Sequence, residues 1–145
     1  MIINEQGTPN NGTILIADDD MFYRRLLANF LIGEKFTVTT VQSYDEARQH
    51  LLRESFDLCV FDYYLPGEPL KAIVDYMNRS VRHTPFIIMT GDESCDTERE
   101  ARNLGPVFYF VKPFSLGDFG SVIREVIGKS SRTVVNGTEW SLHHD

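Results

Sequence analysis

Residues 57–67 (DLCVFDYYLPG) set the tightest limit on what this chain can fold into. An apolar run from Leu58 to Phe61, too short for a free-standing helix, ends in the carboxylate of Asp62 and then a Pro66-Gly67 turn. A continuous apolar run of that length reads as a strand covered on both faces, the kind found in parallel sheets. An Asp at the carboxyl end of such a strand stands at the sheet rim, where open α/β folds bind ligands. Asp also favours turns for its own local hydrogen bonds, so the weight falls on what ends the other strands.

Four more strand-like runs follow from the same reading. TILIA (13–17) is β-branched and apolar and ends in Asp18-Asp19-Asp20, whereas FTVTTV (36–41) alternates with Thr as a more exposed strand does. Residues 85–90 (PFIIMT) close on Gly91, and VFYFV (107–111) runs into Lys112-Pro113. Helical spacing fills the gaps. Tyr23, Leu26, Leu27, Phe30 and Leu31 predict a helix from about Asp20 that Gly33 stops. Ser43 with Glu46 makes a capping box for a second helix with Tyr44, Ala47 and Leu51 on its buried stripe. Leu70, Ile73, Val74 and Met77 predict a third, ending near Val81. Residues 92–103 are helix-like but almost wholly polar, anchored by Ala101 and Leu104, and are expected to move easily. Ser115 and Asp118 cap a last helix that Gly128 ends.

Five strands alternating with five helices predict a single α/β domain, a flavodoxin-like doubly wound parallel sheet of order 2-1-3-4-5. The expected boundaries are a flexible N-terminal tail (1–12), the domain (13–128), and a C-terminal tail or start of a linker (129–145). The tail holds Trp140 and ends His143-His144-Asp145, which reads as a frayed end rather than a metal site. With 14 basic and 21 acidic residues the net charge is −7 and no basic cluster stands out, which argues against nucleic acid and anionic membranes and suits a cation holder. Two unpaired cysteines, no signal-like start and no membrane-length run predict a cytoplasmic setting.

In a parallel sheet all strand C-termini share one edge. Asp18-Asp19-Asp20, Asp62, Thr90 and Lys112 therefore converge there, each with an ordinary reading as a cap, a β-former or a solvated charge. Together they make coherent chemistry. Carboxylates brought close repel unless a hard cation such as Mg²⁺ sits between them. A carboxylate can attack phosphorus to form an acyl phosphate, and a Lys ammonium offsets charge on the phosphoryl oxygens.

On the motifs ILIADDD (14–20), DLCVFDYYLPG (57–67), FIIMTG (86–91) and FYFVKPF (108–114), the chain resembles the receiver domain of two-component response regulators, CheY-like, over roughly residues 13–128. The resemblance implies that Asp62 accepts a phosphoryl group from a histidine kinase or histidine phosphotransfer protein. It implies Mg²⁺ held by Asp18, Asp19, Asp62 and the backbone carbonyl of Tyr64, with Lys112 pairing with the phosphoryl group. It implies a cis Lys112–Pro113 bond and a Thr90–Tyr109 switch pair acting on the face of helix 4, strand 5 and helix 5. Such a domain is a regulatory phosphoacceptor rather than an enzyme; its downstream effector or fused output domain is not named by the sequence, and a homodimer is compatible with it. Three features depart from the family pattern: the turn after Asp62 lacks a second glycine, Tyr64 is bulky beside the acceptor, and Phe108-Tyr109-Phe110 is unusually aromatic. Two other readings stay open. One is a receiver-like interaction module that is never phosphorylated. The other is a Mg²⁺-dependent phosphohydrolase, since the triple Asp contains an Asp-x-Asp.

Overall fold

A computed structural model describes residues 2–3 and 9–135. Its main sheet has five parallel strands, β1 (Thr13–Ala17), β2 (Thr37–Val41), β3 (Leu58–Asp62), β4 (Phe86–Thr90) and β5 (Phe108–Val111), in the order 2-1-3-4-5. Between them run α1 (Met21–Gly33), α2 (Tyr44–Arg53), α3 (Leu70–Arg79) and α4 (Cys95–Asn103), and α5 (Leu116–Val135) follows β5. The flavodoxin-like, doubly wound architecture expected from the alternation is the one observed. The strand β3 is buried along its whole length, as is β4, while the edge strand β2 has one buried residue, Val41.

Strand alternation splits the core into two halves. On one side Leu15, Phe61, Ile88 and Tyr109 pack under α2, α3 and α4; on the other Ile14, Val60, Met89 and Phe110 pack under α1 and α5. Burying each large apolar side chain contributes about 1.5–3 kcal/mol, so both faces are firmly covered. Register then fixes the rim: Asp62 stands opposite Met89, and Thr90 opposite Val111, one residue short of Lys112.

Four local expectations are corrected. The first helix is not stopped by Gly33, which is still helical. The left-handed residue is Lys35, at φ 70°. Lys35 N–H bonds to Ile32 O and Phe36 N–H to Leu31 O, at 3.0 Å each, while Phe36 and Leu31 share one apolar cluster. That closed end, with Asn11 donating to Glu34 O at 2.9 Å, offsets the cost of a left-handed lysine. Helix α3 ends at Arg79, leaving Val81 fully exposed.

The N-terminal segment is not wholly loose: Ile2–Ile3 and Pro9–Asn10 pair antiparallel, and Asn11 N–H bonds to Lys35 O at 2.8 Å. Finally, α5 passes through Gly128 to Val135, so part of the expected tail is helical; Trp140 and His143-His144-Asp145 lie outside the described residues. A glycine inside a helix weakens it. No neighbouring atom lies within 4 Å of a Cβ built at Gly128. Gly128→Ala is therefore expected to raise stability to urea by about 0.5–1 kcal/mol. A loss instead would mean that residue 128 caps the helix in a left-handed conformation.

Candidate functional site

The triple Asp is divided among three tasks. Asp20 caps α1, its carboxylate accepting from Phe22 N–H at 2.9 Å and Tyr23 N–H at 3.4 Å. Asp18 is fully buried; it accepts Asp20 N–H at 2.9 Å on one oxygen and the Lys112 ammonium at 2.8 Å on the other. Asp19 is exposed, and its carboxylate accepts no hydrogen bond among the described residues. Asp62, at the end of β3, accepts Tyr64 N–H at 3.1 Å and the same ammonium at 2.9 Å. Arg24 donates to Asp18 O at 2.9 Å and ties α1 to this rim.

Lys112 thus bridges two carboxylates from strands β1 and β3, which are paired in the sheet. Burial pushes the Asp62 carboxyl above its ordinary value; the Lys112 hydrogen bond and Tyr64 N–H pull it back, and the Asp18 charge adds to the rise. Burial works against the charge on Lys112, but its bonds to Asp18 and Asp62 carry it above the usual value. The two shifts run the same way because Lys112 offsets only part of the desolvation of Asp62.

Carboxylate oxygens of Asp18, Asp19 and Asp62 all lie within 4.8 Å of one another. Hard oxygen donors that close, two of them on buried residues, fit a divalent cation such as Mg²⁺. Tyr64 lies beside them through its N–H bond to Asp62. The Lys112–Pro113 peptide is cis, as the resemblance implies.

Thr90 is fully buried, its hydroxyl accepting Asp92 N–H at 3.0 Å. Tyr109 sits on the same sheet face as Ile88, only 8% exposed, under the Arg102 guanidinium at 5.3 Å from its ring centre. Its buried hydroxyl has no hydrogen-bond partner among the described residues, and burial raises its pKa.

Sequence reasoning missed a clasp between the loop after β3 and α4. Thr97, buried on α4, donates to the Asp92 carboxylate at 2.6 Å and meets the Tyr64 hydroxyl at 2.9 Å and the Ser94 hydroxyl at 3.0 Å. The Thr97 hydroxyl and then Ser94 N–H, bonded to the Asp92 carboxylate, hold its carboxyl below the ordinary value. Tyr63 reaches the Glu100 carboxylate on α4 at 3.0 Å, and burial together with that bond pushes its phenol up to about 12. It also missed the hydroxyl of Tyr44, which points back to the carbonyls of Asp62 and Tyr63; burial and the Asp62 charge push its pKa up. No pattern signals these hydroxyls, because Tyr44 reads as a stripe residue and Thr97 as a poor helix former.

The model of the response regulator receiver domain matches residues 14–124. The chain is 33% identical over 118 residues to the response regulator protein PilR of Pseudomonas aeruginosa, covering 81% of this chain and 26% of that protein. It is 27% identical over 124 residues to the transcriptional regulatory protein ResD of Bacillus subtilis, covering 86% of this chain and 51% of that one. The chain therefore spans a quarter to a half of the curated relatives it matches. A solved CheY-like response regulator receiver domain protein from Methanospirillum hungatei superposes with a TM-score of 0.75 at 24% identity, covering 83% of this chain and 96% of that one, and so shows the same fold.

Two consequences are testable. The Lys112 ammonium occupies the same carboxylates a cation would use, so Lys112→Met should bind Mg²⁺ about 3–10-fold more tightly by calorimetry. Weaker binding would mean that Lys112 organises the acids rather than competes for them. Tyr64→Phe and Thr97→Val each remove clasp bonds, worth about 1 kcal/mol apiece, so amide exchange at the start of α4 should speed up several-fold or more. Unchanged exchange would show that the clasp carries no restraint.

Proposed function

The chain belongs to the response regulator receiver domain family, and from that premise we propose that Asp62 is its phosphoacceptor, in a Mg²⁺-dependent phosphorelay. The observation that carries this reading is the Lys112 ammonium held 2.8 Å from Asp18 and 2.9 Å from Asp62 at the carboxyl edge of the sheet. Receiver domains are regulatory phosphoacceptor domains rather than conventional enzymes, and their acidic pocket binds Mg²⁺. The donor is proposed to be a histidine kinase or histidine phosphotransfer protein, and the unit concerned to be residues 13–128. A cytoplasmic location is proposed with it; no helix among the described residues is long and apolar enough to cross a membrane.

In this mechanism an Asp62 carboxylate oxygen attacks the donor's phosphorus, and the leaving group departs with its electron pair. Tyr44 and the Tyr64 N–H hold the Asp62 backbone and carboxylate from opposite sides, so the nucleophile needs little reorganisation. Asp18, Asp19, Asp62 and the Tyr64 carbonyl would hold Mg²⁺, which when bound supplies positive charge to the phosphoryl oxygens. Lys112 turns from the Asp62 carboxylate to a phosphoryl oxygen while keeping Asp18.

The phosphoryl group adds about −1.5 to −2 charge at the rim. That charge draws the Thr90 hydroxyl, whose oxygen accepts from Asp92 N–H and whose proton has no acceptor among the described residues. Pulling Thr90 inward strains the Asp92–Thr97–Tyr64 clasp, and α4 is the element it would release. Tyr109, on β5, with a hydroxyl unpaired among the described residues, is the second member of the switch. The output face is then α4, β5 and α5, read by an effector protein or fused domain, with a homodimer as one arrangement.

The test is intact mass after incubation with Mg²⁺ and acetyl phosphate. One added phosphoryl group, dependent on metal and absent in Asp62→Asn, is the expected result. Labelling that persists in Asp62→Asn would sink the acceptor assignment. Turnover of a free monoester without an adduct would favour a phosphohydrolase. Neither adduct nor turnover, nor a complex with beryllofluoride, would favour a silent interaction module.

A further inference from the structure

We infer that Tyr23, on α1, is a positioning residue for phosphoryl transfer: its ring face holds the Lys112 ammonium at the acceptor. The inference rests on the phosphoacceptor reading above and adds a residue to it. Lys112 Nζ lies 4.5 Å from the centre of the Tyr23 ring, inside the reach of a cation–π contact. The Lys112 side chain is only 13% exposed, so water competes weakly with the ring.

The ring is itself held from the core. It packs on Phe114 at 5.8 Å between ring centres, and Phe114 packs on Phe110 at 4.7 Å and on fully buried Phe119 at 5.4 Å. Phe114 follows Lys112 by two residues, and the Asp20 cap fixes the backbone N–H of Tyr23. The same stack therefore places both the lysine loop and the ring that faces it.

Lys112 has three holds, of which two are carboxylates with other tasks. An Asp62 carboxylate oxygen becomes the bridging oxygen of an acyl phosphate on phosphorylation, and Asp18 is a candidate ligand for a cation. The ring face is neutral, takes no metal and forms no bond to phosphorus, so it remains when the carboxylate holds weaken. A lysine stem is long and flexible, and without that face the ammonium is free to leave the phosphoryl oxygens. The sequence placed Tyr23 in the apolar repeat of α1, where any large apolar residue would serve; the ring face is what sets it apart.

Tyr23→Phe and Tyr23→Leu separate the two roles. In metal-free protein, NMR should find the Lys112 ε-methylene protons shifted upfield by the ring in the parent and in Tyr23→Phe, and unshifted in Tyr23→Leu. With Mg²⁺ and acetyl phosphate, Tyr23→Phe should label within about twofold of the parent and Tyr23→Leu about 3–30-fold more slowly. In a Lys112→Met background the Leu substitution should cost nothing further, because the ring acts through the lysine. An ε-methylene shift that survives Tyr23→Leu overturns the inference, as does an equal loss of rate in the Lys112→Met background. A parent that takes no phosphoryl group overturns the reading on which Tyr23's part in the reaction rests, while the shift still reports whether the ring holds the lysine.

Discussion

Two carboxylates on neighbouring buried strand ends can share one rim only if a positive charge stands between them. Asp18 is wholly buried and Asp62 nearly so, and their mutual repulsion in a poorly hydrated site would raise the free energy of folding. Lys112 resolves this from the far side of β4: its stem crosses from the end of β5 and delivers the ammonium to both acids. The order 2-1-3-4-5 is what makes the reach possible, since it puts β1 and β3 side by side. The arrangement is stable but unsettled. Any divalent cation or phosphoryl group that enters redistributes the charge, and the lysine must choose new partners.

A switch needs a second element that notices the change. Helix α4 has two buried residues, Thr97 and Ala101, and is held at its start by hydroxyls rather than by a broad apolar stripe. Hydrogen bonds of that kind are worth about 1 kcal/mol each, well below the burial holding α3 through Leu70, Ile73, Val74 and Met77. The difference makes α4 cheaper to move than α3, and its restraints run to Tyr64 and Asp92, each two residues from a strand end at the rim. Arg102 over Tyr109 links the same helix to β5, where the tyrosine hydroxyl lies buried without a partner among the described residues.

The strands and the charged site were legible in the sequence because both depend on local signals. Apolar runs ending in Asp, Thr or Lys need no tertiary knowledge to read, and parallel topology brings their ends together. Helix ends were less legible. Gly33 invited a stop, but the position closing the helix is two residues later, where Lys35 is left-handed because Phe36 must return to Leu31. Gly128 invited another, yet Ile123 and Ile127 continue the buried stripe up to it and nothing there demands a turn. Hydroxyl partners were not legible at all. Whether Tyr44, Tyr64 or Thr97 is packing or a strut depends on which carbonyl or carboxylate the fold sets opposite, and periodicity carries no record of that.

Tyr44 shows how far the site extends beyond its charges. Its hydroxyl is directed as a donor at the carbonyls of Asp62 and Tyr63, at the carboxyl end of β3. A buried carbonyl left unpaired costs about 1–3 kcal/mol, and α2 supplies this donor. Its ring meets Phe61 edge-on at 6.2 Å between centres and anchors the hydroxyl to the core. Asp62 is therefore fixed through its backbone by an aromatic residue on one side of the sheet. On the other side, Tyr23 faces the lysine that neutralises it. The carboxylate stands between two tyrosines that never touch it, and its freedom to react comes from the rigidity of what surrounds it.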